Sequence, residues 1–279
     1  MNFPSFLRQL LGAFLHRGPE PIVRTHHINS SFLQRTVELD VYRPAILPTQ
    51  PLKLVLFNDG QDLRRMDVSR QLGELYAARH LSPTLVVGMV AGDRMREYGT
   101  SERPDYKNRG DLARAYEQFV TDELMPWLSN RYLLHGSSLT RAVAGFSLGG
   151  LNAFDLVWRN PDHFSVAGVF SGALWWRARA FQPKDPDADR IIHTYVAAAS
   201  EAPAGFRSWI MAGTEDEQED RNNNGIIDAI DDSTDLRDLL LQKGLADPYE
   251  VCYFEVQGGQ HHPDTWQLVF KDFMRWTKF

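Results

Sequence analysis

One pentapeptide, Gly145-Phe146-Ser147-Leu148-Gly149, constrains this chain more than any other stretch. The run before it, Arg141 to Phe146, has the length and apolar character of a buried strand. After it, Leu148, Leu151, Phe154 and Trp158 recur at helical spacing. A strand that turns so sharply into a helix forces the serine into strained dihedrals. Side chains two places before and two places after it would collide, and glycine removes both collisions. Gly150 then lets the helix lie close to the sheet. The strain points the hydroxyl out of the turn and aims the helix N-terminus at whatever binds or reacts there. Ser147 is therefore a candidate nucleophile.

A nucleophilic serine needs a base, and the base needs a group to orient it. On a strand-turn-helix nucleophile the chain order is serine, acid, histidine. Tyr249 to Val256 has the aromatic and β-branched alternation of a last strand, and it runs into Gly258-Gly259-Gln260-His261-His262-Pro263-Asp264. The glycine pair frees a loop to carry an imidazole over the sheet edge, and Pro263-Asp264 opens a helix. His262 directly precedes that helix and reads as a residue beside its cap, which leaves His261 as the base. The acid is expected after the preceding strand, Arg207 to Ala212, in Gly213-Thr214-Glu215-Asp216-Glu217. Asp216 is the favoured orienter, with Glu215 and Glu217 as alternatives.

Two backbone N–H groups are needed where negative charge develops on the substrate. Leu148 supplies one, directly after the serine. The other is expected from the loop that follows the strand Leu52 to Phe57, where Gly60 permits a tight turn and leaves the Gln61 N–H free.

These residues carry a resemblance. The chain resembles the putative esterase family of α/β-hydrolases, which includes esterase D, siderophore esterases, feruloyl esterases and the mycolyltransferases. The similarity spans about Val37 to Trp276. It rests on Asn58-Asp59-Gly60-Gln61, Arg96-Glu97-Tyr98, Pro104-Asp105-Tyr106-Lys107, and Phe119 with Glu123-Leu124-Met125-Pro126. It continues through Gly145–Gly150, Pro161-Asp162-His163-Phe164, Ser171-Gly172-Ala173-Leu174-Trp175-Trp176, and Gly258-Gly259 with His261 and Trp266. The resemblance implies a catalytic triad of Ser147, His261 and Asp216, with Gln61 as second oxyanion donor. A long insertion begins directly after the acid.

That insertion, over about residues 217–233, is itself distinctive. Asp220-Arg221-Asn222-Asn223-Asn224-Gly225-Ile226-Ile227-Asp228-Ala229-Ile230-Asp231 has the spacing of an EF-hand or dockerin calcium loop. Asp220, Asn222, Asn224, Asp228 and Asp231 offer oxygen side chains, Ile226 its carbonyl, and Gly225 the sharp turn. Asp231 stands where an EF-hand has a bidentate glutamate. From Glu215 to Asp235 there are nine carboxyl residues against one arginine, whereas the whole chain carries only −6. Such local charge is costly without a counter-ion. A structural calcium ion is the expected partner, with an unoccupied loop of Asx turns as the alternative.

The 279 residues, 43% of them hydrophobic, suffice for a single α/β domain over 22–279, with 1–21 as an amphipathic helix and linker. Phe3, Phe6, Leu7, Leu10, Leu11, Phe14 and Leu15 form one face of that helix. The face suits packing on the body, or on a second copy in a homodimer, better than a membrane-surface anchor. Arg8 and Gln9 interrupt any signal-peptide core, so a cytoplasmic location is expected. No apolar run spans a bilayer, and no basic patch interleaved with aromatics suggests nucleic acid. Cys252, the only cysteine, excludes an intrachain disulfide.

Strands are expected at 36–42, 52–57, 84–90, 141–146, 166–171, 207–212 and 249–256, and helices near 67–79, 112–130, 148–159, 234–243 and 264–278. Apolar strands alternating with helices predict a mainly parallel sheet covered on both faces, the α/β-hydrolase arrangement. Trp176 is a candidate substrate wall, with core packing as the alternative. Arg94 is a candidate for substrate binding or for bracing its loop. The expected activity is serine carboxylic-ester hydrolysis of a small-molecule ester through an acyl-enzyme, without an organic cofactor. Acyl transfer to a sugar or alcohol is the alternative enzyme reading. A non-catalytic, calcium-stabilised binding protein is the alternative outside enzymes.

Overall fold

The computed structural model describes residues 19–46 and 49–277; the amphipathic helix expected within 1–17 lies outside them. Eight strands form one sheet in the order β1-β2-β4-β3-β5-β6-β7-β8. They are β1 (Ile22–Ser30), β2 (Arg35–Arg43), β3 (Lys53–Asn58), β4 (Thr84–Met89), β5 (Arg141–Phe146), β6 (Val166–Phe170), β7 (Arg207–Glu215) and β8 (Val251–Gln260). β1 and β2 form an antiparallel hairpin, and β2 also runs antiparallel to β4. From β4 through β3, β5, β6 and β7 to β8 every pairing is parallel. All their C-terminal ends therefore open on one edge of the sheet.

The central strands are apolar on both faces because both faces are covered. On β3, Leu54 and Leu56 join one core with Val143, Leu151 and Phe154, while Val55 and Phe57 join the other with Phe146, Phe170 and Phe273. The first core lies beneath α4 (Ala113–Gln118), α5 (Met125–Ser129), α6 (Leu148–Arg159), α7 (Ile191–Ala198) and α8 (Asp228–Gln242). The second lies beneath α1 (Gly60–Arg65), α2 (Val68–Ala77) and α9 (Pro263–Trp276). The short α3 (Arg94–Glu97) follows β4. A π-helical segment, Phe119–Leu124, links α4 to α5. Pro126 at the start of α5 cannot donate an i→i−4 bond, and the wider register absorbs its ring. Among the described residues no helix is long and apolar enough to cross a membrane.

The doubly covered, mainly parallel sheet is the expected one, but several elements differ. β7 and β8 run on to Glu215 and Gln260, so the Gly213-Thr214-Glu215 and Gly258-Gly259 stretches expected as loops lie in strands, and α1 and α3 are additional helices. β1 is an additional edge strand. Residues 22–27 of it are mostly exposed and include Arg24, His26 and His27, so no apolar alternation marks it. α7 is an additional helix. α8 begins at Asp228, six residues before the expected Thr234, because Asp228 and Asp231 occupy its first turn, where carboxylates complement the helix dipole.

Phe57 is wholly buried, with Phe270, Phe273, Phe146 and Phe170 at ring-centroid distances of 5.7, 5.9, 6.0 and 6.3 Å. Phe57→Ala would leave a cavity among these rings at the centre of the sheet. We expect a loss of about 3–5 kcal/mol in urea unfolding.

Candidate active site

Consecutive strands of the parallel sheet each deliver one polar residue at their C-terminal ends, where open α/β sheets place their ligands. Asp59 follows β3, Arg94 lies beyond β4, Ser147 follows β5 and Ser171 follows β6. Asp216 follows β7 and His261 follows β8.

Ser147 has φ 54° and ψ −121°, a conformation a non-glycine residue reaches only under constraint. Three backbone bonds supply that constraint. Its N–H donates to the Phe170 carbonyl at 2.9 Å, and its own carbonyl accepts from Ala173 and Gly150, each at 3.0 Å. A Cβ on Gly145 would stand 2.5 Å from the Gly149 carbonyl carbon. A Cβ on Gly149 would stand 2.6 Å from Asp59 Oδ2. Both glycines are thus required by close approach.

The loop after β3 docks against this turn. Asn58 Nδ2 donates to the Gly149 carbonyl at 2.8 Å, and the Tyr116 hydroxyl donates to Asn58 Oδ1 at 2.8 Å. Asp59 is in the left-handed region (φ 59°), and its N–H donates to the Tyr98 hydroxyl at 3.0 Å. Gln61 and Leu148 lie in the first turns of α1 and α6, where helix geometry leaves backbone N–H groups without intrahelical carbonyl partners.

Arg94 braces this loop. Its Nε and Nη2 donate to the two Asp59 carboxylate oxygens at 2.6 and 2.9 Å, and Nη2 also reaches the Phe146 carbonyl at 3.4 Å. One guanidinium thereby ties the loop after β3 to the residue before Ser147. Of the two roles considered for Arg94, loop bracing is the one its contacts fulfil.

Asp216 lies next to His261, and the charge of each acts on the other. One Asp216 oxygen, Oδ2, accepts the Gly213 N–H at 2.8 Å; Oδ1 is shielded from solvent without a hydrogen-bond partner. Burial pushes the Asp216 carboxyl above the usual range, opposed by the Gly213 N–H, the Ser171 hydroxyl and His261. The His261 ring stands edge-on to Trp266 at 5.5 Å. Desolvation on that packed side lowers its pKa below 6.5; Asp216 pulls it up and Arg94 pushes it further down. Trp266 Nε1 donates to Ser171 Oγ at 3.0 Å, which links the ring packed on His261 to the hydroxyl that acts on Asp216.

The alternative residues face elsewhere. Glu215 is exposed and accepts from Gln260 Nε2 at 3.4 Å. Glu217 is turned toward a neighbouring cavity. Burial, with Asp228, Glu219 and Asp232 nearby, raises its pKa to about 7 against the Ala229 N–H. His262 caps α9, its Nδ1 accepting the Asp264 N–H at 3.3 Å, and its Nε2 lies 2.7 Å from Arg65 Nη2.

The expectation that Trp176 lines a substrate wall is corrected. Trp176 has no exposed surface and packs against Gly99 and Gly110, with Arg109 stacked 4.7 Å from its ring. Trp175 is the member of the pair that reaches the surface, at 37% exposure. Sequence reasoning does not single out Asp59, Tyr98 and Ser171 for these roles, because their contacts join strand ends far apart in the chain. An Asp-Gly pair at a strand end is the available signal for Asp59.

In the insertion, Asp220, Asn222, Asn224 and Asp231 are brought together. Asp220 accepts from the Asn224 and Gly225 N–H groups at 3.1 and 2.9 Å. Asp231 Oδ2 accepts from Asn222 and Asn224 side chains at 3.0 and 2.8 Å. Asp228 is turned away, accepting the Arg221 N–H at 2.8 Å and pairing with its guanidinium. Among the described residues no group of three or more His, Cys, Asp or Glu side chains forms a metal-ligating cluster.

The sheet order, the strained serine on the β5–α6 turn and the residues at neighbouring strand ends define an α/β-hydrolase. Residues 30–277 match the model of the putative esterase family, and the chain belongs to that family. It is 23% identical over 240 residues to the uncharacterized protein YjcH of Bacillus subtilis, covering 85% of this chain and 90% of that one. Its structure is similar to the enterobactin esterase FES from Shigella flexneri, with TM-score 0.74 and 19% identity over 93% of this chain. The chain spans 59% of that esterase's length. It is also similar to a ferulic acid esterase, with TM-score 0.69 and 16% identity, covering 92% of this chain and 98% of that one.

The electrostatics make one test independent of turnover. Titrated by NMR, the His261 ring should show a midpoint below 6.5. A nearby cation disfavours imidazolium, so Arg94→Met should move the midpoint upward. Arg94→Lys, which keeps the charge, should move it less.

Proposed function

We propose that this esterase-family chain hydrolyses a carboxylic ester through an acyl-enzyme on Ser147, with His261 as base and Asp216 as orienter. The observation that carries the reading is the strained Ser147 turn after β5, on the same sheet edge as Asp216 and His261 at the ends of β7 and β8. As Ser147 Oγ bonds to the ester carbon, its proton passes to His261, and Asp216 favours the resulting imidazolium. The carbonyl oxygen becomes an oxyanion facing the N–H groups of Gln61 and Leu148, already oriented by the two helix starts. Collapse breaks the bond to the alcohol oxygen, which takes the proton from His261. Water then repeats the sequence on the acyl-enzyme and restores Ser147.

Depressed basicity suits this role. A base that must be neutral gains activity as pH rises through its pKa. The acid limb of kcat/KM should therefore lie below 6.5, the usual imidazole value. Ser147→Ala and His261→Ala should each lower p-nitrophenyl butyrate turnover at least about a thousand-fold. A fluorophosphonate probe should label the parent protein and leave Ser147→Ala unlabelled. Retention of more than about a hundredth of the rate by Ser147→Ala would overturn the assignment.

We further propose that Asp220, Asn222, Asn224, Asp231 and the Ile226 carbonyl hold a calcium ion as a structural group. The donor set is hard oxygen from a short loop with Gly225 at positive φ (88°), which fits that ion. Asp228 would enter the set only by giving up Arg221. The ion would offset the loop's repulsion and fix the exit of the segment that carries Asp216. A ligand held only by the folded state stabilises it by mass action. Chelation should lower Tm by several degrees, and Asp220→Ala should have the lower Tm already and ignore the chelator. Calorimetry without calcium uptake at millimolar concentration would remove the ion from this account.

A further inference from the structure

A cavity of about 510 Å³ lies between the segment after β6 and the acidic insertion. Trp175, on its wall, is two residues beyond Ala173, whose N–H binds the Ser147 carbonyl. Glu217, also on the wall, directly follows Asp216. Tyr106, Trp175 and Phe181 all line this cavity and are 42%, 37% and 44% exposed. Each ring has one cation of the chain near it, Lys107 at 5.5 Å from Tyr106, Arg109 at 5.2 Å from Trp175 and Arg177 at 5.9 Å from Phe181, so these rings already serve as cation-binding surfaces.

The charges on the wall are unequal in their availability. Arg177 is 7% exposed and donates to the carbonyls of Pro186 and Ala188. The Arg221 side chain is 5% exposed and pairs with Asp187, Asp228 and Asp232, with Nη1 left without a hydrogen bond. Arg109, stacked on Trp175, is paired with Asp105. Glu217 and Glu219, by contrast, have no ion-pair partner among the described residues, and Glu217 Oε1 is shielded from solvent without a hydrogen bond. Aromatic faces together with unpaired carboxylates are the surroundings that favour an organic cation.

We propose that this cavity is a specificity subsite for an organic cation, the ammonium-bearing group of an ester substrate. The aromatic rings contact its alkyl surface and polarise toward its charge; Glu219 supplies counter-charge, and Glu217 adds to it as it ionises above about pH 7. This substrate class rests on the ester-hydrolase reading, so the test separates the two.

Butyrylcholine is compared with the uncharged ester in which tert-butyl replaces trimethylammonium, with p-nitrophenyl butyrate as a third substrate. The cationic ester should have a kcat/KM about ten-fold above its isostere, mainly through KM. Tetramethylammonium should compete with it. Glu217→Gln and Phe181→Ala should each bring the ratio of the two esters toward one. Equal or lower kcat/KM for the cationic ester, with Ser147-dependent hydrolysis of p-nitrophenyl butyrate, would overturn the subsite and leave the esterase reading standing. Failure to hydrolyse all three would count against the esterase reading alone. Where the choline pair is not turned over, quenching of tryptophan fluorescence by tetramethylammonium decides. Saturable quenching that Glu217→Gln abolishes supports the subsite, and its absence overturns it.

Discussion

Everything at the site depends on how closely two backbones approach at Gly149. The β3 strand end comes so near the β5–α6 turn that a single methyl group on Gly149 would meet both the Asp59 carboxylate and Asn58 Cβ, at 2.6 and 3.1 Å. With no side chain between them, the loop bearing Gln61 and the turn bearing Ser147 become one rigid unit. Asn58, Arg94 and Tyr98 then lock its parts together with hydrogen bonds to backbone and carboxylate groups. The backbone strain at Ser147 persists because these contacts over-determine it.

Asp216 and His261 are held by a different principle. Each is partly desolvated, which disfavours charge on either alone. Asp216 is what raises His261, while Asp216 itself leans first on the Gly213 N–H and the Ser171 hydroxyl and then on His261. Arg94 enters this balance from the opposite side, as the brace of the loop after β3 and as a cation that adds to the desolvation of His261 in lowering its basicity. A single guanidinium thus serves geometry and proton affinity together. The bidentate contact with Asp59 accounts for the first role, and proximity accounts for the second.

Much of this architecture is legible in the amino-acid sequence. Strong apolar runs mark seven strands, and the glycines around Ser147 mark the turn, because both signals are local. Chain order directs attention to Asp216 and His261, which stand at the expected strand ends. What the sequence hides is non-local or electrostatically disguised. β1 carries arginine and histidines on an open edge, and the first turn of α8 looks like loop because its carboxylates are the same ones that suggest a metal site. Between Trp175 and Trp176 the sequence offers no distinction. Only the packing of Gly99 and Gly110 against Trp176 shows which ring is interior.

The placement of His261 has a consequence for how the molecule fails. Ser147 follows the interior strand β5, whereas His261 follows β8, one of the two edge strands, held on one side only. Edge elements exchange and fray before the centre of a sheet opens. Mild denaturant or warming would therefore release the imidazole while the serine turn and the aromatic core stay intact. Inactivation would precede melting, and the edge strand would act as a fuse in the otherwise folded protein.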